Sequence, residues 1–157
     1  MSAQIHTRGD GVAIDTFQVN DPLGETVTSS AHWARTVEAL RAVLTGEQSV
    51  EILIAQRRAA VRATPQPTRP KIALNNRLSD DYTVIEVKCP DRLGLLYLVT
   101  RTLSALGLDI ASARIATEID QAFDSFYVND TGGRKVEDAA AMDAVRVALE
   151  QALVEPL

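Results

Sequence analysis

Cysteine, histidine, positive charge and long apolar runs are all scarce in this chain of 157 residues. The single cysteine, Cys89, excludes an intramolecular disulfide and suggests a reducing, cytoplasmic setting. His6 and His32 have no cysteine or carboxylate at ligand spacing, so no metal centre is expected. A net charge of −5 argues against nucleic acid as the main partner. The longest apolar runs, near Ile52 and Leu95, are far short of a membrane span, and the amino terminus has no signal-peptide pattern. No phosphate loop, nucleophile elbow or kinase motif occurs, so no catalytic residue is assigned.

What the chain does have is an internal repeat. AIDTFQVNDPLGETV (residues 13–27) matches AFDSFYVNDTGGRKV (122–136) at an offset of 109, with eight identities in fifteen positions. Just upstream, SAQIHT (2–7) matches SARIAT (112–117) at an offset of 110. A turn between the two blocks absorbs the one-residue slip.

The second copy reads as strand, helix, strand, strand, helix. Residues 83–89, TVIEVKC, alternate Ile85, Val87 and Cys89 against Val84, Glu86 and Lys88, the period of a strand. Leu96, Val99, Leu103 and Leu106 follow at helical spacing, and Gly107 stops that helix. DIASARIAT and FDSFYVND form a hairpin around Ile119 and Asp120, and residues 138–153 form a second helix. Adding KIALNN (71–76) as a substitute edge strand completes the α+β, ferredoxin-like βαββαβ unit.

The first copy holds only the later part of that unit. It has strands at 3–7 and 12–20 about an Asp10-Gly11 turn, then a helix near 31–44 capped by Ser29 or Ser30. Residues 50–62 read as a further helix. The expected organisation is a partial first unit at 1–62, a basic proline-containing linker at 63–81 and a second unit at 82–157. Six basic and no acidic residues lie between Arg57 and Arg77, a solvated linker or a strip for an acidic partner. The half-unit is either truncated ahead of Met1, the stronger expectation, or completed by something else, a second copy being the obvious choice.

Most potential chemistry has a plainer account. Cys89 lies on the buried face of its strand, and Asp21 and Asp130 end strands where Asp bonds local backbone. The informative segment is CPDRLGLLY (89–97), where a strand ends and Gly94 opens a helix whose first amides suit a small carboxylate. The plainer reading makes Asp91 a helix cap.

The pattern PDRLGLL, LGLDI, DSFYVND and GGRK (beginning at Pro90, Leu106, Asp124 and Gly132) resembles the ACT domain. With DGVAIDTFQVND (10–21), it is similar to the carboxyl-terminal tandem ACT pair of bifunctional PII uridylyltransferase/uridylyl-removing enzymes. Leu93 stands where that family usually has proline. The resemblance implies tandem ACT units, the first truncated at its amino end, that sense glutamine and bias UMP transfer to or removal from the PII protein. It implies catalytic domains upstream that use Mg²⁺ and UTP, with no cofactor in this segment, and a homodimer. It places the ligand between Asp91, Arg92, Leu93, Gly94 and Leu95 of one unit and Asp109, Ile110, Ala111 and Ser112 of another. Two other readings stay open: an ACT pair of a different amino-acid-controlled protein, and a ligand-free dimerisation module.

Overall fold

A computed structural model describes residues 2–7, 12–20, 25–60, 69–118 and 121–154. The elements are β1 (Ser2–Thr7), β2 (Ala13–Gln18), α1 (Ser30–Leu44), α2 (Val50–Ala60), β3 (Lys71–Asn75) and β4 (Thr83–Pro90). They continue with α3 (Leu95–Ala105), β5 (Leu108–Arg114), β6 (Thr117–Glu118), β7 (Gln121–Asp130) and α4 (Ala139–Val154). The elements expected from the pattern are present among the described residues, with ends shifted by one to three residues. The Asp10-Gly11 turn, Asp21, the Ile119-Asp120 turn and residues 63–68 of the linker lie outside the described residues.

One antiparallel sheet runs in the order β2-β1-β5-β7-β4-β3, with β6 beside β7. Its β3-β4-β7-β5 portion is the ferredoxin-like sheet of the second unit. There β3, which precedes the unit in sequence, fills the edge position beside β4, pairing Ile72 with Val87 and Leu74 with Ile85. The helices α3 and α4 pack on each other and cover one face of this sheet. The alternation of β4 sends Ile85, Val87 and Cys89 into that layer. They meet Val99 and Leu103 of α3, Val145 and Leu149 of α4, and Phe126 and Val128 of β7. Each such side chain contributes on the order of 1.5–3 kcal/mol relative to exposure.

A buried polar knot ties the edge strand to this core. Thr83, fully buried, donates its hydroxyl to Asn76 Oδ1 at 2.7 Å and accepts the Val136 amide at 2.9 Å. Asn76 Nδ2 in turn donates to the Val136 carbonyl at 2.9 Å. The knot joins the turn after β3, the start of β4 and the segment entering α4, so the substitute strand is fixed by side chains as well as by its ladder.

The two copies meet through their equivalent strands. β1 lies antiparallel to β5 with Ser2 opposite Arg114, Ala3 opposite Ala113 and Gln4 opposite Ser112. At the repeat offset of 110, Ala3 faces its own counterpart, and the flanking pairs exchange counterparts. That is the register of a two-fold axis through the Ala3–Ala113 pair. The β1–β2 hairpin therefore extends the second unit's sheet. Compactness follows this pairing rather than the repeat boundary: Met1–Gln18 groups with Gln66–Leu157, and Val19–Pro65 forms the other unit.

The two copies differ in exposure. Phe126 is 1 % exposed on β7, which has β5 on one side and β4 on the other. Its counterpart Phe17 is 58 % exposed on β2, whose only neighbour among the described residues is β1. In the 19–65 unit, α1 is capped by Ser29, whose hydroxyl accepts the His32 amide at 3.3 Å, and Trp33 Nε1 donates to the Val27 carbonyl at 3.0 Å. Leu40 and Leu44 of α1 are exposed, whereas their counterparts Leu149 and Leu153 on α4 are buried.

Candidate functional site

At the end of β4 the ladder stops at Pro90, and Asp91, Arg92, Leu93 and Gly94 carry the chain into α3. Gly94 occupies the N-cap position at φ +84°, a left-handed conformation that costs a residue with a Cβ about 1–2 kcal/mol. No side chain caps the helix, so the capping role for Asp91 is not observed. Instead the Thr117 hydroxyl donates to Asp91 Oδ2 at 3.5 Å. The Arg92 guanidinium reaches α4 and donates to the Leu153 carbonyl at 2.9 Å, a cation at a helix carboxyl terminus, where the dipole favours it. Leu93 is exposed and Leu95 anchors the helix in the core. The loop thus presents the helix's amino end between one outward carboxylate and one guanidinium fixed to α4.

Beneath this loop sits a carboxylate that the sequence reading does not single out. Asp124 of β7 points into the core layer with Ala122 and Phe126 and is 2 % exposed. Its Oδ1 accepts one long hydrogen bond, from the Ala116 amide at 3.4 Å, and Oδ2 has no partner among the described residues. Burial pushes its pKa up to about 6; the Ala116 amide lowers it, the charge of Asp91 raises it and the amino-terminal charge lowers it. Cys89, a strand away, is pushed up to about 11, mainly by burial and then by Asp124. The thiol stays protonated and packs as a core residue. The available signal was the strand alternation itself, which places Asp124 on the same face as Phe126 and Val128.

The other predicted residues lie elsewhere on the sheet. Asp109 pairs with Asn129, Ile110 with Val128 and Ser112 with Tyr127, and Ala111 sits at the bulge between Ile110 and Ser112. The loop follows Pro90, opposite Gln121. Gln121 and Tyr127 are six residue steps apart on β7, about 20 Å at strand rise. Asp91, Arg92, Leu93, Gly94 and Leu95 are therefore together, and Asp109, Ile110, Ala111 and Ser112 are together, but the two sets do not meet within the second unit. The two-fold register gives the reason. The counterpart of Ser112 is Ser2, and Ser2 lies opposite Arg114, on the loop's side of Ser112.

An open groove of about 980 Å³ is at the far end of the sheet, between Gly107, Asp130, Lys135 and Val145. Three of its charged residues, Asp130, Arg134 and Lys135, hold the adjoining turns. Asp130 Oδ1 accepts the Gly132 and Arg134 amides at 2.8 and 2.9 Å, and Oδ2 pairs with Arg134 at 3.1 Å. Lys135 Nζ donates to the carbonyls of Asn76 and Ser79. None of the predicted residues lines it. Among the described residues no three potential ligands cluster for a metal, and no helix is long and apolar enough to cross a membrane.

Comparison with known proteins adds the following. A family model described as "ACR9-like, ACT-like domain" matches residues 71–157. The chain is 38 % identical over 160 residues to the bifunctional uridylyltransferase/uridylyl-removing enzyme of Rhodospirillum rubrum, covering 99 % of this chain and 17 % of that protein. The enzymes of the same name from Bradyrhizobium diazoefficiens (37 %, 95 % of this chain, 16 % of that protein) and Novosphingobium aromaticivorans (38 %, 97 % and 17 %) are similar to it as well. The chain thus spans about a sixth of the length of these relatives. No solved structure matches it significantly.

Proposed function

The chain belongs to the ACT-like domain family, and from that premise we propose that it is the amino-acid-sensing regulatory region of a bifunctional uridylyltransferase/uridylyl-removing enzyme. Glutamine is the ligand in this reading, and its binding biases UMP transfer to, or removal from, a PII protein by catalytic domains elsewhere in the parent chain. Those domains would carry the Mg²⁺ and UTP chemistry, and the parent would act as a homodimer in the cytoplasm.

The observation that carries the reading is the register of β1 on β5, which puts equivalent strands of two units about one axis. A ligand held across such an axis touches both units. It prefers the arrangement in which its contacts on both sides are made, and the difference in affinity between arrangements is the coupling free energy. The 91–95 loop fits one side of that contact. Gly94 leaves room for a carboxylate near the first amides of α3, and Asp91 offers a partner for an ammonium. The strand on the other side is the 109–112 type of a neighbouring unit, the element in which β1 and β5 correspond.

Isothermal titration of L-glutamine into the chain, with glutamate, serine and glycine as controls, tests the reading. Selective glutamine binding is expected. A folded chain that binds none of them would favour the assembly-module alternative, to which the exposed β2 edge also points.

A further inference from the structure

We propose that Asp124 is an ammonium-binding carboxylate beneath the 91–95 loop, with Asp91 as its outer companion. The inference rests on the amino-acid-sensing reading and names the ligand group that the core side of the loop would take: a primary ammonium.

The case starts from an unmet requirement. A carboxylate buried to this degree ordinarily accepts several hydrogen bonds, because its lone pairs have lost water. Asp124 has one long bond at Oδ1, and its Oδ2 has no partner among the described residues. Structural need does not explain it: β7 pairs through backbone there, Asp124 opposite Val87, and an apolar residue would fill the same place between Ala122 and Phe126. The neighbouring charges do not satisfy it either. Asp91 is a second carboxylate whose charge raises the pKa of Asp124, the amino-terminal charge lowers it in part, and the Arg92 guanidinium donates to the Leu153 carbonyl. Two carboxylates of one sign at one end of a sheet are complementary to a cation with several donors. An ammonium supplies three, and charge-assisted bonds of this kind are among the strongest available to it.

The segment over Asp124 meets the loop through a long hydrogen bond. Ala116, and Thr117 at the start of the two-residue β6, lie against Asp124; the segment is held to β7 by the Phe123 amide at 2.8 Å and touches the loop through the 3.5 Å contact between Thr117 and Asp91. Displacing that contact admits an ammonium between Asp91 and Asp124. Asp124 then gives up its proton to solvent, the ammonium keeps all of its own, and the buried pair becomes an ion pair. Binding at mildly acidic pH therefore releases a proton. The counterpart Asp15 on β2 is exposed, so the first copy offers no such site in this chain.

The test uses the whole 157-residue chain with ¹³C-labelled aspartate, the Asp124 carboxyl signal being assigned by its loss in Asp124→Asn. Its midpoint, expected near 6, is followed alone, with L-glutamine, with the desamino analogue 4-carbamoylbutanoate and with methylammonium chloride. The expected result is a fall of about one pH unit or more with glutamine and with methylammonium, and none with the desamino analogue. A shift with methylammonium but not glutamine would keep the ammonium site and overturn the glutamine reading. Glutamine-induced changes in the 91–95 amides with an unmoved Asp124 would overturn the ammonium site and leave the glutamine reading standing. No shift with any probe would also overturn the inference.

Discussion

Ala3 and Ala113 face each other across the centre of the β1–β5 ladder, each the other's counterpart in the sequence repeat. The chain thus brings two units of one kind together by the same strand, and among the described residues β2 of the first unit has β1 as its only neighbour.

That asymmetry predicts different costs for the same substitution. Phe126→Ala removes a side chain with 1 % exposure and should cost about 3–5 kcal/mol of unfolding free energy. Phe17→Ala, at the equivalent place with 58 % exposure, should cost less than about 1 kcal/mol. Urea unfolding of both variants by circular dichroism reads the difference. Equal costs would mean that Phe17 is covered in solution.

The contrast also marks how far the sequence could be read. Alternation in TVIEVKC, the helical spacing of Leu96, Val99 and Leu103, and the isolated KIALNN segment gave the elements and the edge strand, because each is a local pattern. The repeat showed two equivalent strands, but not that they would pair, since register across a two-fold axis depends on contacts between distant segments. The 91–95 loop was legible from its glycine and its strand-to-helix position. Asp124 was missed because an aspartate on the buried face contradicts the pattern used to find that face. Asp130, by contrast, does what the turn requires of it.

Asp124 makes stability depend on pH in a definite direction. Its folded pKa, about 6, is above the ordinary carboxyl value near 4, so the folded state holds the proton more tightly. The contribution is fully present below about 4, is lost as pH rises through 6, and is constant above. Asp124→Asn should therefore be more stable than the parent at pH 7.5 by up to about 3 kcal/mol, with the gap closing below pH 4. Thermal melts of both proteins between pH 4 and 8 check this. A gap independent of pH would show that burial does not hold the proton.

Thr83→Val keeps the volume of a fully buried side chain and strands the Val136 amide and Asn76 Oδ1. The expected loss is about 1–3 kcal/mol. Hydrogen exchange should show the β3 amides opening first, because the knot is what fastens that edge beyond its ladder. Uniform destabilisation with β3 still protected would contradict this role.

Gly94→Val places a β-branched residue at φ +84° and should cost about 1–2 kcal/mol or more. The repositioned loop should weaken amino-acid binding at least tenfold, read by the same titration. A variant that unfolds near the parent temperature and binds normally would remove the loop from the site.

The most direct measurement is hydrogen–deuterium exchange across the chain with and without saturating L-glutamine. The account predicts slowed exchange in the amides of residues 91–98 and 112–118, with no change around Asp130 and Lys135 at the far groove. Protection confined to the far groove, or none anywhere in a folded chain, would contradict it.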